Sequence, residues 1–205
     1  MSRIEVRTHR DRLVWGPFSD VGPADIDEVE NTIGRALPVD YREFVSIANG
    51  GTLPYAVRLP PGDEAGELLE FSSLTQVQGD YGLAAGWARY GETVMAQTLP
   101  ADLLPVAQDG GGSTLYVDLG EETYGSVWAF VFGLPEWTGR QPSTMGGRVA
   151  SSWNAYLDVL TIDEEYAREL WEEATADPFD DWSSAVVSWL DSGLPGWRQR
   201  PWASD

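Results

Sequence analysis

The chain has 205 residues, with 33 acidic and 13 basic side chains, one histidine and no cysteine, for a formal net charge of −20. The missing cysteine excludes disulfides and thiolate chemistry, and a single histidine closes multi-His metal centres and Ser-His triads. Every base is an arginine, so no lysine completes a P-loop, and a field of this sign repels phosphate backbones and removes nucleic acid as a direct partner.

Met1 to Arg12 is charged and holds no apolar segment of signal-peptide length. No apolar run approaches the roughly 18 residues of a membrane span, the longest clear one being Val127 to Phe132. A soluble, cytoplasmic protein is expected. Ile4 and Val6 alternate with charges and predict a short edge strand. Arg3, Arg7, Arg10 and Arg12 form a local basic cluster, suited to an acidic neighbour or to the chain's own carboxylates. His9, within that arm, is expected at the surface.

From Asp25 to Gly51 the sequence is well punctuated. Ile26, Val29 and Ile33 recur at spacings of three and four, the apolar stripe of a short helix. Pro23 suits its first position, and Gly34 suits the left-handed residue that ends it. Pro38 opens a second helix whose face is Tyr41, Phe44, Val45 and Ala48, and Asn49-Gly50-Gly51 stops it. Leu53 to Leu59 reads as a strand weakened by Pro54, and Pro60 to Glu67 as a polar turn-rich loop. Leu68 to Leu74 predicts a strand, and Tyr81 to Tyr90 a helix interrupted by Gly82 and Gly86.

Leu103 to Ala107, the glycine turn Asp109 to Ser113, and Thr114 to Leu119 make a hairpin. A second turn, Gly120 to Gly125, leads into Ser126 to Phe132, giving a three-stranded antiparallel meander. Ser152 suits an N-cap, with Trp153, Tyr156, Leu157 and Leu160 at i, i+3, i+4 and i+7 behind it. Asp163 to Thr175 and Asp181 to Asp191 predict two further helices in a strongly acidic region, separated by Asp177-Pro178. Among the ten tryptophans, Trp128 and Trp153 fall on core faces, whereas Trp137, Trp197 and Trp202 sit among Gly and Pro as candidates for exposed contacts.

Leu37-Pro38, Tyr41, Phe44 and Asn49-Gly50-Gly51, behind a Glu-rich first helix, closely resemble the opening motif of the SUKH superfamily, the Smi/Knr-like domains. Two later stretches are similar to the same pattern: Pro105-Val106-Ala107-Gln108-Asp109-Gly110-Gly111-Gly112 with its following strands, and the closing helix from Ser152 to Leu160. Together they cover Asp25 to Leu160. The resemblance implies a single α+β domain with two N-terminal helices, a twisted antiparallel sheet and a closing helix, over residues 1–160. An acidic helical extension, 161–205, is expected to pack on it.

By the same resemblance the function is protein binding without catalysis, as in bacterial immunity proteins that neutralise a cognate toxin by covering its active or substrate site. No cofactor and no metal is implied. The partner expected is a basic protein, such as a nuclease toxin domain, since an acidic surface both solubilises and steers such a partner. Loop position and charge select Glu64, Glu67, Glu121, Glu122, Glu136 and Trp137 as its contacts. Two alternatives stay open: a regulatory or scaffolding module of the same family, and a carboxylate- or metal-dependent hydrolase. The oligomeric state is not legible. Adjacent acids such as Glu121-Glu122 and Glu172-Glu173 diverge from one another and read as solvated surface rather than as a convergent pair. The loop Asp109 to Ser113 lacks the alternating ligands of a calcium loop and reads as a turn.

Overall fold

The computed structural model describes residues 4–58, 68–92, 99–132, 146–176 and 180–203. A hairpin, β1 (Val6–His9) and β2 (Arg12–Trp15), precedes the helices α1 (Pro23–Ile33) and α2 (Val39–Ile47). Three short strands follow, β3 (Ala56–Arg58), β4 (Leu68–Glu70) and β5 (Ser73–Leu74), and then α3 (Leu83–Tyr90). The strands β6 (Leu103–Gln108), β7 (Thr114–Asp118), β8 (Val127–Phe130) and β9 (Gly146–Ala150) complete the sheet. The helices α4 (Trp153–Val159), α5 (Glu164–Ala176) and α6 (Asp181–Gly193) end in two 3-10 turns, Trp197–Gln199 and Pro201–Ala203. The molecule is of the α+β class, with antiparallel pairing throughout.

The two N-terminal helices form where the stripes predict. Pro23 occupies the first turn of α1, Ile26, Val29 and Ile33 are buried, and Gly34 closes the helix at φ 73° with its N–H donating to Glu30 O. α2 starts after Pro38 and buries Tyr41, Phe44 and Val45. Asn49 then works as a staple. Its buried amide accepts from Val77 N at 2.7 Å and donates to Ser19 O and Asp20 O, tying three chain segments together. Gly51 lies at φ 85°, and a Cβ there would sit 2.5 Å from Trp15 O. Only glycine lets the two backbones approach so closely.

That approach extends the sheet. Thr52 exchanges both backbone hydrogen bonds with Trp15, at 2.7 and 2.8 Å, and so joins β2 to β5. The order β5-β6-β7-β8-β9 continues on the other side, with β7 buried along its whole length. On one face Leu104, Val106, Leu115, Val117, Val127 and Ala129 meet the aromatic layer of α2 and α4. On the other, Leu103, Tyr116 and Phe130 form a second cluster with Tyr90 of α3, and Trp128 packs half-buried against it.

Several expectations are corrected. Leu68 to Leu74 is two strands, not one: β4 pairs with β3, β5 pairs with β6, and buried Phe71 lies at the break. Of the expected Leu53 to Leu59 strand, β3 begins only at Ala56, after Pro54, which has no N–H for a ladder, and Leu59 lies outside the described residues. The meander has a further strand, β9, where Gly146-Gly147 gave no strand signal. His9 is partly buried, edge-on to Phe44 at 5.7 Å, rather than free at the surface. Trp197 is buried, 4.8 Å from Trp171, with its indole N–H donating to Asp191. Trp153, by contrast, lies in the core as expected, fully buried in the layer of Tyr41, Phe44 and Tyr156.

The last two helices are capped by Asp163 and Asp180, whose carboxylates accept from Tyr166 N and Ser183 N. Their apolar residues Ala167, Leu170, Val186, Trp189 and Leu190 belong to the same core as the sheet and the N-terminal helices. Trp189 is fully buried, with ring contacts to Trp15, Tyr55 and Tyr166.

Candidate functional site

The face built by α1, α2 and the β7–β8 turn holds the site residues that can be placed. α1 presents Asp27 and Glu28 to solvent, and Arg42 of α2 reaches across to Asp27 at 2.6 Å and to Glu30. The hydrogen bonds that Arg42 donates to Asp27, then to Glu30, raise its pKa and keep its guanidinium charged. Glu30 also accepts from Leu37 N at 2.8 Å, so one carboxylate ties α1, α2 and their connector. Between the helices lies a cleft of about 330 Å³, lined by Val21, Pro23, Ile26, Val39, Arg42 and Ser46. Val39 stands at its lip with 81% of its surface exposed.

The β7–β8 turn is held from within. Asp118 is buried; its carboxylate accepts from Gly120 N at 2.7 Å and from the Thr123 hydroxyl, and its carbonyl accepts from Gly125 N. Every acceptor of that side chain that faces the turn is used locally, which leaves Glu121 and Glu122 pointing into solvent on a fixed support. Tyr124, about half exposed, donates to Ala36 O at 3.0 Å and so docks the turn on the α1–α2 connector. Burial first, then the charges of Glu30 and Asp40, raise the Tyr124 pKa, so its hydroxyl stays a donor. Arg35 of the connector meets Asp102 at 3.7 Å.

The sequence-predicted contacts divide accordingly. Glu121 and Glu122 lie exposed on this turn, whereas Glu64, Glu67, Glu136 and Trp137 fall outside the described residues. Val39 and Tyr124 were missed. Val39 had a signal, because it is an apolar residue off the Tyr41-Phe44-Val45 stripe and therefore on the opposite side of its helix. Tyr124 had none, since its role depends on the long-range contact with Ala36.

The arrangement offers exposed Val39 and Tyr124 among carboxylates, with the Arg42 guanidinium already paired to Asp27 and Glu30. Among the described residues, no three carboxylate or imidazole groups converge to hold a metal ion. Asp109 accepts from Gly111 N and Ser113 N within its own loop, as a hairpin turn requires. No helix among the described residues is long and apolar enough to cross a membrane.

Residues 21–159 match the family described as SMI1 / KNR4 family (SUKH-1). No curated protein matches the chain.

Proposed function

The chain belongs to the SMI1 / KNR4 family (SUKH-1), and from that premise we propose that it is a non-catalytic immunity protein that neutralises a cognate bacterial toxin in the cytoplasm by covering its active or substrate site. The observation that carries this is the rigid β7–β8 turn, which holds Glu121 and Glu122 beside exposed Tyr124 and Val39 on a chain of net charge −20. A toxin that cleaves nucleic acid needs a basic groove for its substrate's phosphates. An acidic surface competes for that groove, and its long-range field speeds the encounter. Apolar side chains at the centre then slow dissociation once water is excluded. A regulatory or scaffolding partner would use the same kind of face, and inhibition is what separates the two.

The test is co-expression with the product of the gene immediately upstream, followed by association kinetics with that product purified. The protein should restore growth and form a stable complex. Reversing both charges, Glu121→Arg with Glu122→Arg, should slow association about tenfold at low salt, with the difference shrinking at high salt. Unchanged kinetics at low salt would remove the turn from the interface. Binding without rescue would favour the scaffolding role.

A further inference from the structure

Among the described residues the sheet has an unpaired edge at β1, and a groove runs beside it. The turn Arg10-Asp11, with both residues at positive φ, closes the hairpin on the His9–Arg12 pair. From that closing pair, Arg7–Val14 is the next hydrogen-bonded pair, and Thr8–Leu13 and Val6–Trp15 are the pairs whose backbone groups point away from each other. The opposite strand agrees: Trp15 gives its outward groups to Thr52, and Leu13 N donates outward to the Tyr55 hydroxyl. The N–H and C=O groups of Val6 and Thr8 therefore face outward on the free side of β1. Among the described residues no strand pairs with them.

Next to this edge lies a groove of about 640 Å³. Its floor is the face of the hairpin that carries Val6, Thr8 and Leu13. Its wall is one stripe of α6, Asp181, Ser184, Ala185 and Ser188, at spacings of three, four and seven. Three of those four side chains are small, which leaves room for the side chains of an added strand. Among the described residues, the charged ones lining the groove are Glu5 and Asp181, both carboxylates. All of these residues lie outside the family-matched segment 21–159.

The geometry points to β1 as the docking edge for an extended, basic segment of a partner protein, which adds a strand to the sheet and sends alternate side chains into the groove against α6. Main-chain bonds at Val6 and Thr8 supply affinity, and Asp181 selects the charge, since Glu5 is already paired with Arg7 at 2.6 Å. A second copy of this chain fits worse. Antiparallel β1–β1 pairing centred on Arg7 would set two arginines opposite each other, and would join two chains each of net charge −20. The site is separate from the α1–α2 face and does not depend on the partner being a toxin.

The test uses the full-length protein and three fluorescent octapeptides: alternating Arg and Val, alternating Glu and Val, and the Arg peptide N-methylated at every second residue. The Arg peptide should bind, slow amide exchange at Val6 and Thr8, and bind at least about tenfold more tightly than either control. Val6→Pro removes one outward donor at a position where an edge strand tolerates proline, and Ser188→Gln fills the groove from the helix side without touching the strand or changing its charge. Each should weaken binding about tenfold. Equal affinity of the N-methylated peptide, or binding that ignores both variants, would reduce the effect to charge attraction and overturn the site. Concentration-dependent protection of Val6 and Thr8 without peptide would overturn it in favour of self-association.

Discussion

The segment that matches the family and the two stretches that flank it solve the same packing problem differently. Inside 21–159, position is fixed by backbone devices: Gly34 and Gly51 at positive φ, Asn49 bonded to two other segments, Asp118 closing its own turn. Outside it, position is fixed by large aromatic side chains. Trp15 of the N-terminal hairpin lies 5.0 Å from Trp182 and 5.5 Å from Trp189 of α6, so the two flanks meet each other as well as the segment between them. Turn chemistry sets the path of a chain locally, whereas an indole buried from afar can anchor an added element to a surface that already exists. The flanks thus read as a second layer that closes over one side of the sheet and shapes the groove at β1.

The strongest way to break this comparison is to remove one anchor from each region. Trp153 and Trp189 are both fully buried. Each substitution to Ala should cost about 3–5 kcal/mol, measured by urea unfolding. If the flanks belong to one cooperative core, the two variants unfold in single transitions that coincide by fluorescence and circular dichroism. A Trp189→Ala protein that unfolds in two steps, losing α5 and α6 first, would make the flank a separate module. A smaller effect tests the backbone devices. Gly51→Ala puts a Cβ 2.5 Å from Trp15 O and 2.8 Å from Phe18, whereas Gly34→Ala meets nothing within 4 Å. Both pay for positive φ, about 1 kcal/mol, and only Gly51→Ala adds the clash, for about 2–3 kcal/mol in all. Equal costs would mean that β2 gives way easily and that Thr52 does not fix the sheet.

What the sequence made legible follows the same division. α1 and α2 were readable because Pro23, Gly34, Pro38 and Asn49-Gly50-Gly51 mark their ends with residues whose backbone preferences are local. The β6–β7–β8 meander was readable because both of its turns carry glycine, and α4 because Ser152 caps it, accepting from Ala155 N. The β1–β2 turn was not, since Arg10 and Asp11 take positive φ without a glycine to announce it. Nor was the burial of Trp197, which depends on Trp171 and Asp191 packing around a Gly- and Pro-rich tail. At the candidate site the exposed turn with Glu121 and Glu122 came from local signals. Tyr124 and the cleft between the helices came only from the tertiary arrangement.

The seam between the two regions carries a titratable group, and it gives the smallest and most specific prediction. Glu70 of β4 lies within the matched segment, and Asp163 and Glu169 belong to the C-terminal flank. Burial first, then the charges of Asp163 and Glu169, push the Glu70 carboxyl up from 4.5 to about 7. Tyr166, on the same helix as Glu169, is raised to about 12 by burial first and then by Glu70, Glu173 and Glu169, so it stays neutral beside them. Below pH 4.5 the carboxyl is protonated whether the chain is folded or not, and it costs nothing. Between pH 4.5 and about 7 the unfolded chain ionises more readily than the folded one, so stability falls as pH rises, and above that window the loss is complete. The full shift corresponds to about 3 kcal/mol, which solvent at this partly exposed site screens to about 1–2 kcal/mol. Glu70→Gln removes the ionisation. Its stability relative to the natural chain, from urea midpoints, should therefore rise by about 1–2 kcal/mol between pH 4.5 and pH 8. A difference that stays flat across that range would show that the flank docks on β4 without desolvating Glu70, and the seam would then be looser than the shared core around Trp189 implies.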